Sequence, residues 1–124
     1  MTMDETRRFG AERSSVGAVR RFVRLALSDF ESDAIDDAEL LVSEVAANVV
    51  DHAGTDYDVR VVAEGVWLRI EVADGSSIIP AVQDLAHDAE RGRGLRLIEH
   101  IATAWGVEER PDGKSVWFEI GDAR

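Results

Sequence analysis

Cysteine is absent from this sequence of 124 residues. This absence excludes a disulfide scaffold, a thiolate zinc site and a cysteine nucleophile. The three histidines (His52, His87 and His100) are scattered and do not have the spacing of paired metal ligands. No apolar run approaches the roughly 20 residues that span a bilayer, and residues 1–13 lack the apolar core of a signal peptide. We therefore expect a cytoplasmic protein.

Basic residues are also few. The chain has 14 Lys and Arg residues against 25 Asp and Glu residues, which gives a formal net charge of −11 at pH 7. Nucleic-acid binding depends on neutralising phosphates, so this balance argues against DNA or RNA as a direct partner. The net charge does not exclude a nucleotide as a ligand, because a local group of backbone N–H donors, one or two basic side chains and a metal ion suffice to bind it.

The length of the chain is typical of a single domain. Residues 1–13 are charged and polar, and we expect them to form a flexible N-terminal arm before one domain over residues 14–124. Ser14 or Ser15 is a suitable N-cap for a first helix that ends near Phe30. Its apolar stripe consists of Val16, Val19, Phe22, Val23, Leu25, Ala26 and Phe30. Three arginines lie largely outside that stripe: Arg20, Arg21 and Arg24.

A second helix is predicted from Asp36 to about His52. Asp36 followed by Glu39 resembles a capping box, and Gly54 stands where a left-handed C-terminal cap is expected. The helix is apolar on most sides, so we expect it to be largely buried.

Two β-hairpins are predicted from alternating apolar residues. The first joins strands over 57–63 and 66–73 through a turn at Glu64-Gly65. The second joins strands over 105–109 and 115–120 through Pro111-Asp112-Gly113.

Between the hairpins, residues 74–93 show no regular pattern, which in a compact domain is typical of a functional loop or lid. A third helix is predicted from Gly94 to about Ala104. The order of elements predicts an α+β two-layer sandwich, with a mostly antiparallel sheet and three helices on one face.

The second helix carries a narrow polar sector. At 100° per residue, Glu44, Asn48 and Asp51 fall together, with His52 at the edge. One interpretation is a thin solvent-exposed stripe. The other is a site for hard-cation chemistry, in which the Asn48 amide oxygen ligates Mg²⁺ and Glu44 activates a nucleophile beside it.

The segment over residues 43–53 has the pattern Glu-x-x-x-Asn followed by Asp-His-Ala. It resembles the N-box of the GHKL ATP-binding superfamily, and in particular that of the small anti-sigma-factor serine kinases. The resemblance implies that Glu44 is catalytic, that Asn48 holds Mg²⁺, and that Asp51 and His52 belong to the nucleotide-binding set.

The strand over residues 66–73 leads into Asp74-Gly75-Ser76. An Asp-Gly turn at a strand end is common in β proteins. The segment also resembles the D-x-G box of the same superfamily, which implies that Asp74 accepts a hydrogen bond from the adenine amino group. Ser76 stands where larger families have glycine, so its expected contact is through the backbone or the hydroxyl.

The residues Gly92-Arg93-Gly94-Leu95 lead into the predicted third helix. The glycines allow close approach of an anion, and a helix start presents free N–H donors. A Gly-x-Gly pattern alone is more often just a helix start or a loop. Here it resembles the G-x-G-L box, which implies that these residues contact the phosphates, with Arg93 reaching one of them. Residues 77–91 would then form a lid.

The segment Gly113-Lys114-Ser115-Val116-Trp117-Phe118 resembles the final segment of these kinases, with Ser115 as the candidate hydroxyl near the pocket. Alternatively, Lys114 and Ser115 simply start an edge strand.

Taken together, these boxes cover about residues 40 to 120 and imply a Bergerat-type fold that binds ATP and Mg²⁺. They further imply a serine-protein kinase that phosphorylates a STAS-type anti-anti-sigma partner, regulates a sigma factor and forms a homodimer. No direct contact with nucleic acid or membrane is expected. The alternative is a non-catalytic ATP-binding signalling module that acts by partner binding.

Overall fold

The computed structural model describes residues 2–76 and 96–122. Its principal elements are β1 Thr2–Phe9, α1 Arg13–Ala26, α2 Ser32–Asn48, β2 Tyr57–Glu64, β3 Trp67–Asp74, β4 Ala104–Arg110 and β5 Gly113–Ile120. A π-helix, Val49–Ala53, continues α2. Residues 96–101 are helical and are called α3. The strands form one antiparallel sheet in the order β1-β2-β3-β5-β4.

The first strand corrects the expected N-terminal arm. Residues 2–9 pair with β2 along their whole length, so the prediction of a flexible arm is wrong there. The strand lies at the edge of the sheet and exposes most of its side chains, and for this reason its sequence shows charge rather than apolar alternation. Phe9 is the buried exception, and its ring lies 6.0 Å from that of Phe22 and 5.8 Å from that of Tyr57.

The first helix differs from its prediction at both ends. It begins at Arg13, and its N-cap residue Glu12 makes no side-chain capping bond. Ser14 and Ser15 lie inside the helix and therefore do not cap it, and the Ser15 hydroxyl lies 2.6 Å from the phenol oxygen of Tyr57. The helix ends at Ala26 rather than Phe30. Leu25 is 75% exposed and is not part of the buried stripe.

The second helix begins at Ser32, so the predicted capping box is wrong. The carboxylates of Asp36 and Glu39 instead bind Arg24 on α1. Its Nη2 lies 2.9 Å from Asp36, and its Nε lies 2.8 Å from Glu39. These bonds raise the pKa of the Arg24 guanidinium, with the bond to Asp36 as the largest cause. The left-handed cap is confirmed at Gly54, where φ is 67°.

The two faces of the sheet differ in composition. Apolar side chains that alternate along β2, β3 and β5 join buried residues of α1, α2 and α3 in one core. The main sheet contributions are Val59, Val61, Ile70, Val72, Val116 and Phe118. Charged side chains dominate the opposite face, among them Arg60, Arg69, Glu71 and Glu119. The predicted α+β two-layer fold is therefore confirmed.

The hairpins are confirmed, with shifted boundaries. The first turn is Gly65-Val66, with φ of 63° at Gly65, and the second is Pro111-Asp112. Strand β5 begins two residues earlier than predicted and lies between β3 and β4, so it is not an edge strand. The helical residues of α3 end at 101, before the predicted Ala104. Within the described residues, no helix is long and apolar enough to cross a membrane.

Candidate functional site

Glu44 and Asn48 lie on α2 one turn apart, about 6 Å along the helix axis. Both are half-buried, whereas the intervening Val45 and Ala46 are buried in the core. The structure therefore brings these two predicted site residues together on one side of α2.

Glu44 contributes to a groove of about 470 Å³ between α1 and α2. The other lining residues are Arg20, Arg24, Asp36, Glu39, Leu40 and Ser43. Arg20 makes a long hydrogen bond of 3.5 Å to the Ser43 hydroxyl, while Arg24 is held by the two acidic residues of α2. The groove is thus lined by two guanidinium groups as well as by the predicted catalytic carboxylate.

The π-helix separates the remaining polar residues of α2 from this arrangement. Its closing bond, from Gly54 N to the Val49 carbonyl oxygen, is 2.8 Å and spans five residues. A spacing of 100° per residue therefore no longer applies beyond Asn48. Asp51 and His52 are exposed, and Asp51 lies 3.6 Å from Arg13 at the start of α1. The polar sector predicted for four residues holds for Glu44 and Asn48.

A second group of polar residues lies at the edge of the sheet where β3 ends. Asp74, the last residue of β3, is opposite Tyr57 of β2 on one side and opposite Lys114 of β5 on the other. The backbone N–H of Gly75 donates to the Thr55 hydroxyl at 2.9 Å. This bond ties the segment after the π-helix to the end of β3, so the continuation of α2 and Asp74 meet at one edge.

Asp74 and Lys114 form a buried ion pair. Lys114 Nζ lies 3.0 Å from Oδ1 and 2.9 Å from Oδ2 of Asp74, and the side chains are 9% and 0% exposed, respectively. The backbone N–H of Ser76 also donates to Oδ1, at 2.8 Å. Burial of a carboxylate is tolerated here because a cation and a backbone donor compensate it.

A glycine makes this pairing possible. A Cβ at Gly113 would lie 1.9 Å from the backbone oxygen of Asp74, and its φ of 154° is rarely adopted by other residues. Without a side chain at this position, β5 runs close enough to the end of β3 to place Lys114 beside the carboxylate.

Ser115, predicted as the hydroxyl near the pocket, does not lie beside Asp74 and Lys114. It pairs with Ala73, and strand alternation turns both residues to the face opposite Asp74 and Lys114. The Ser115 hydroxyl is buried and has no hydrogen-bond partner within the described part of the chain. Lys114 occupies the position beside Asp74 instead.

Two features of the sequence indicate that Lys114 belongs to this group of polar residues. It has the same parity along the strand as the core residues Val116 and Phe118, and it is the only lysine in the chain, since the other 13 of the 14 basic residues are arginines.

The described residues do not include the predicted phosphate-binding residues Gly92, Arg93, Gly94 and Leu95, or the predicted lid over 77–91.

Asn48 is the residue predicted to hold Mg²⁺, and its surroundings decide whether it fits that role. Within residues 2–76 and 96–122, no group of three or more His, Cys, Asp or Glu side chains is placed to hold a metal ion. Mg²⁺ in nucleotide sites typically takes one or two protein oxygens and completes its shell with phosphate oxygens and water. The half-buried Asn48, whose side chain offers an amide oxygen, fits that mode of binding.

Comparison with known proteins identifies the family of the chain. No curated protein matches the chain. The family described as histidine kinase-like ATPase domain matches residues 9–120, which include Glu44, Asn48, Asp74 and Lys114. The chain therefore belongs to the histidine kinase-like ATPase domain family of the GHKL superfamily, whose fold implies ATP binding.

Proposed function

We propose that this protein is an anti-sigma-factor serine kinase, which transfers the γ-phosphoryl group of ATP to a serine of a STAS-type anti-anti-sigma protein and so regulates a sigma factor. The observation that carries the proposal is the placement of Glu44 and Asn48 one turn apart on α2, with Asp74 at the sheet edge to which that helix continues. The sequence over residues 43–53 adds the resemblance to the small serine kinases.

Each residue has a distinct role in this proposal. Asp74 accepts a hydrogen bond from the adenine amino group. Glu44 accepts the proton of the serine hydroxyl as its oxygen bonds to the γ-phosphorus and ADP leaves with the electrons of the broken P–O bond. Phosphoryl transfer needs mainly positioning and charge stabilisation from the protein, so one positioned carboxylate and a nucleotide pocket suffice.

Asn48 would hold Mg²⁺ through its amide oxygen. When bound, the ion neutralises charge on the phosphates. The Gly92-Arg93-Gly94-Leu95 segment and the lid over 77–91 remain the proposed phosphate-covering part. Asp51 and His52 are exposed on the π-helix, and we propose that they contact the nucleotide from its outer side.

Partner and location are also proposals. The groove beside Glu44 contains Arg20 and Arg24, and a serine-bearing partner must reach that carboxylate. We therefore place the STAS protein over this groove. Homodimer formation and a cytoplasmic location follow from the proposed class.

A second candidate is a non-catalytic module that binds ATP and acts through partner binding. The buried pair of Asp74 and Lys114, with Ser76 donating to the same carboxylate, serves nucleotide binding and not phosphate transfer, so it is equally consistent with this candidate. Both candidates predict ATP binding, and they differ in phosphate transfer.

The test is transfer of label from γ-labelled ATP to a STAS-domain protein. We expect transfer by the wild type, none by Glu44→Ala, and wild-type transfer by Asp33→Ala, which removes an exposed acid from the same helix. ATP binding by Glu44→Ala should be unchanged. Asn48→Ala should weaken binding only when Mg²⁺ is present.

Retained transfer in Glu44→Ala would remove that residue from its assigned role. ATP binding without transfer to any STAS protein would favour the non-catalytic module.

A further inference from the structure

The Asp74–Lys114 pair offers a second polar group beside the proposed adenine contact. We propose that Lys114 reads the base together with Asp74, by donating a hydrogen bond to adenine N1 while Asp74 accepts one from the 6-amino group. This proposal rests on ATP binding at Asp74 and adds a specificity-determining residue to that site.

The contacts within the pair do not use all of its hydrogen-bond donors and acceptors. A carboxylate has about four acceptor positions, and an ammonium has three donors. Within the described residues, Asp74 accepts from Ser76 and Lys114 at Oδ1 and from Lys114 at Oδ2. Lys114 spends at most two donors on these contacts. With respect to residues 2–76 and 96–122, one acceptor position on Oδ2 and one donor on Nζ therefore remain, on atoms 2.9 Å apart.

Adjacent donor and acceptor groups match the edge of adenine. Its 6-amino group donates and its N1 accepts, so the base can engage Oδ2 and Nζ at the same time. Guanine has the reverse order, with an O6 acceptor and an N1–H donor. Against this pair its O6 would face a carboxylate and its N1–H would face an ammonium, which disfavours binding.

Exposure also favours a contact through Lys114. The Asp74 side chain is 0% exposed, and the small accessible area of the pair belongs to Lys114, which is 9% exposed. The side-chain surface that the pair offers to a ligand is therefore that of Lys114. In the strand register, Tyr57 lies opposite Asp74 and Glu109 lies opposite Lys114, so these two residues flank the pair across the sheet.

The first experiment compares ATP with 1-deaza-ATP, in which N1 is replaced by C–H, by calorimetric titration of the wild-type protein with Mg²⁺. Loss of a hydrogen bond from a charged donor should weaken binding by about 10-fold or more. Equal affinities would overturn the proposal while leaving ATP binding intact. Absence of ATP binding would overturn both the proposed function and this inference.

A variant assigns the effect to the side chain. In Lys114→Met, we expect ATP and 1-deaza-ATP to bind with equal affinity, because the donor to N1 is gone. A persistent preference for ATP would show that another group reads N1 and would overturn the proposal. Circular dichroism establishes whether this variant is folded before it is compared.

A second measurement does not depend on the variant. Because Lys114 is the only lysine, protein labelled with ¹⁵N-lysine has one side-chain Nζ resonance, which needs no further assignment. We expect saturating ATP to shift this resonance and saturating 1-deaza-ATP to shift it much less. Identical shifts with both nucleotides would contradict a direct contact between Lys114 and N1.

Discussion

The ion pairs on the two faces of the sheet differ in burial, and burial changes how much the loss of one partner affects stability. On the open face, Arg8 pairs with Asp58, Arg60 pairs with Asp4, and Arg69 pairs with both Glu71 and Glu119. These residues keep contact with solvent, and individually such pairs contribute little. On the helix-covered face, Asp74 and Lys114 are almost completely buried. The comparison indicates that charges keep the open face polar, whereas the buried pair fixes a carboxylate and an ammonium group in one place.

The largest expected loss of stability comes from replacing one of the two residues of the buried pair. Lys114→Met leaves the Asp74 carboxylate buried without its cation, and we expect a loss of about 3–5 kcal/mol in the free energy of unfolding. Urea unfolding measures it. Replacing both residues, as Asp74→Val with Lys114→Met, should restore most of the lost stability while abolishing ATP binding. A double variant as unstable as the single one would show that the pair is needed for folding itself.

A backbone change at the same pair should have the next largest effect. Gly113→Ala places a methyl group against the Asp74 carbonyl oxygen and forces an unfavourable φ, which alone costs about 1–3 kcal/mol. We expect a larger loss than in Gly65→Ala, where φ is also positive but no atom lies within 4 Å of the added Cβ. Equal losses in urea unfolding would contradict the close approach of β5 to Asp74.

Substitutions on the open face should lower the free energy of unfolding only slightly. Arg69→Ala removes bonds to Glu119 and a guanidinium that lies 4.1 Å from the Trp117 ring, and about 1–2 kcal/mol should be lost. Arg8→Ala removes the exposed pair with Asp58 and should cost less than about 1 kcal/mol. Both losses should shrink in 1 M NaCl, unlike that of Lys114→Met. Salt-insensitive losses would indicate packing rather than charge.

The smallest effect concerns Tyr57, the only tyrosine in the chain. Burial raises the pKa of its phenol above 10.0, although the bond with Ser15 acts in the opposite direction. A raised pKa in the folded state means that this contribution to stability is complete below pH 10 and is lost as pH rises through the folded value. Tyrosinate absorbance should titrate above the ordinary value in the folded protein and return to it in urea. Identical midpoints would contradict this.

Much of the fold was predictable because its elements follow local patterns. The alternation of β2 and β3 and the glycine that ends the α2 segment specify those elements without knowledge of distant residues. Strand β1 was missed because an exposed edge strand needs no apolar alternation, and its position depends on pairing with residues 57–64. The start of α2 was misplaced because Asp36 and Glu39 bind Arg24 on another helix.

The placement of the candidate site residues in the fold was predictable in part for similar reasons. Glu44, Asn48 and Asp74 follow from local motifs at a helix and a strand end. The π-helix depends on how the end of α2 meets the sheet, so a regular helical wheel misplaced Asp51 and His52. Lys114 depends on the register between strands 40 residues apart, which a sequence pattern alone does not specify.

The most direct test of the central claim is the affinity of the wild-type protein for ATP and for GTP, measured by calorimetric titration with Mg²⁺ present. The account predicts that ATP binds and that GTP binds at least about 100-fold more weakly, because its 6-position presents an acceptor to Asp74 and its N1–H presents a donor to Lys114. Equal affinities, or no binding of ATP, would contradict a nucleotide site organised by this pair.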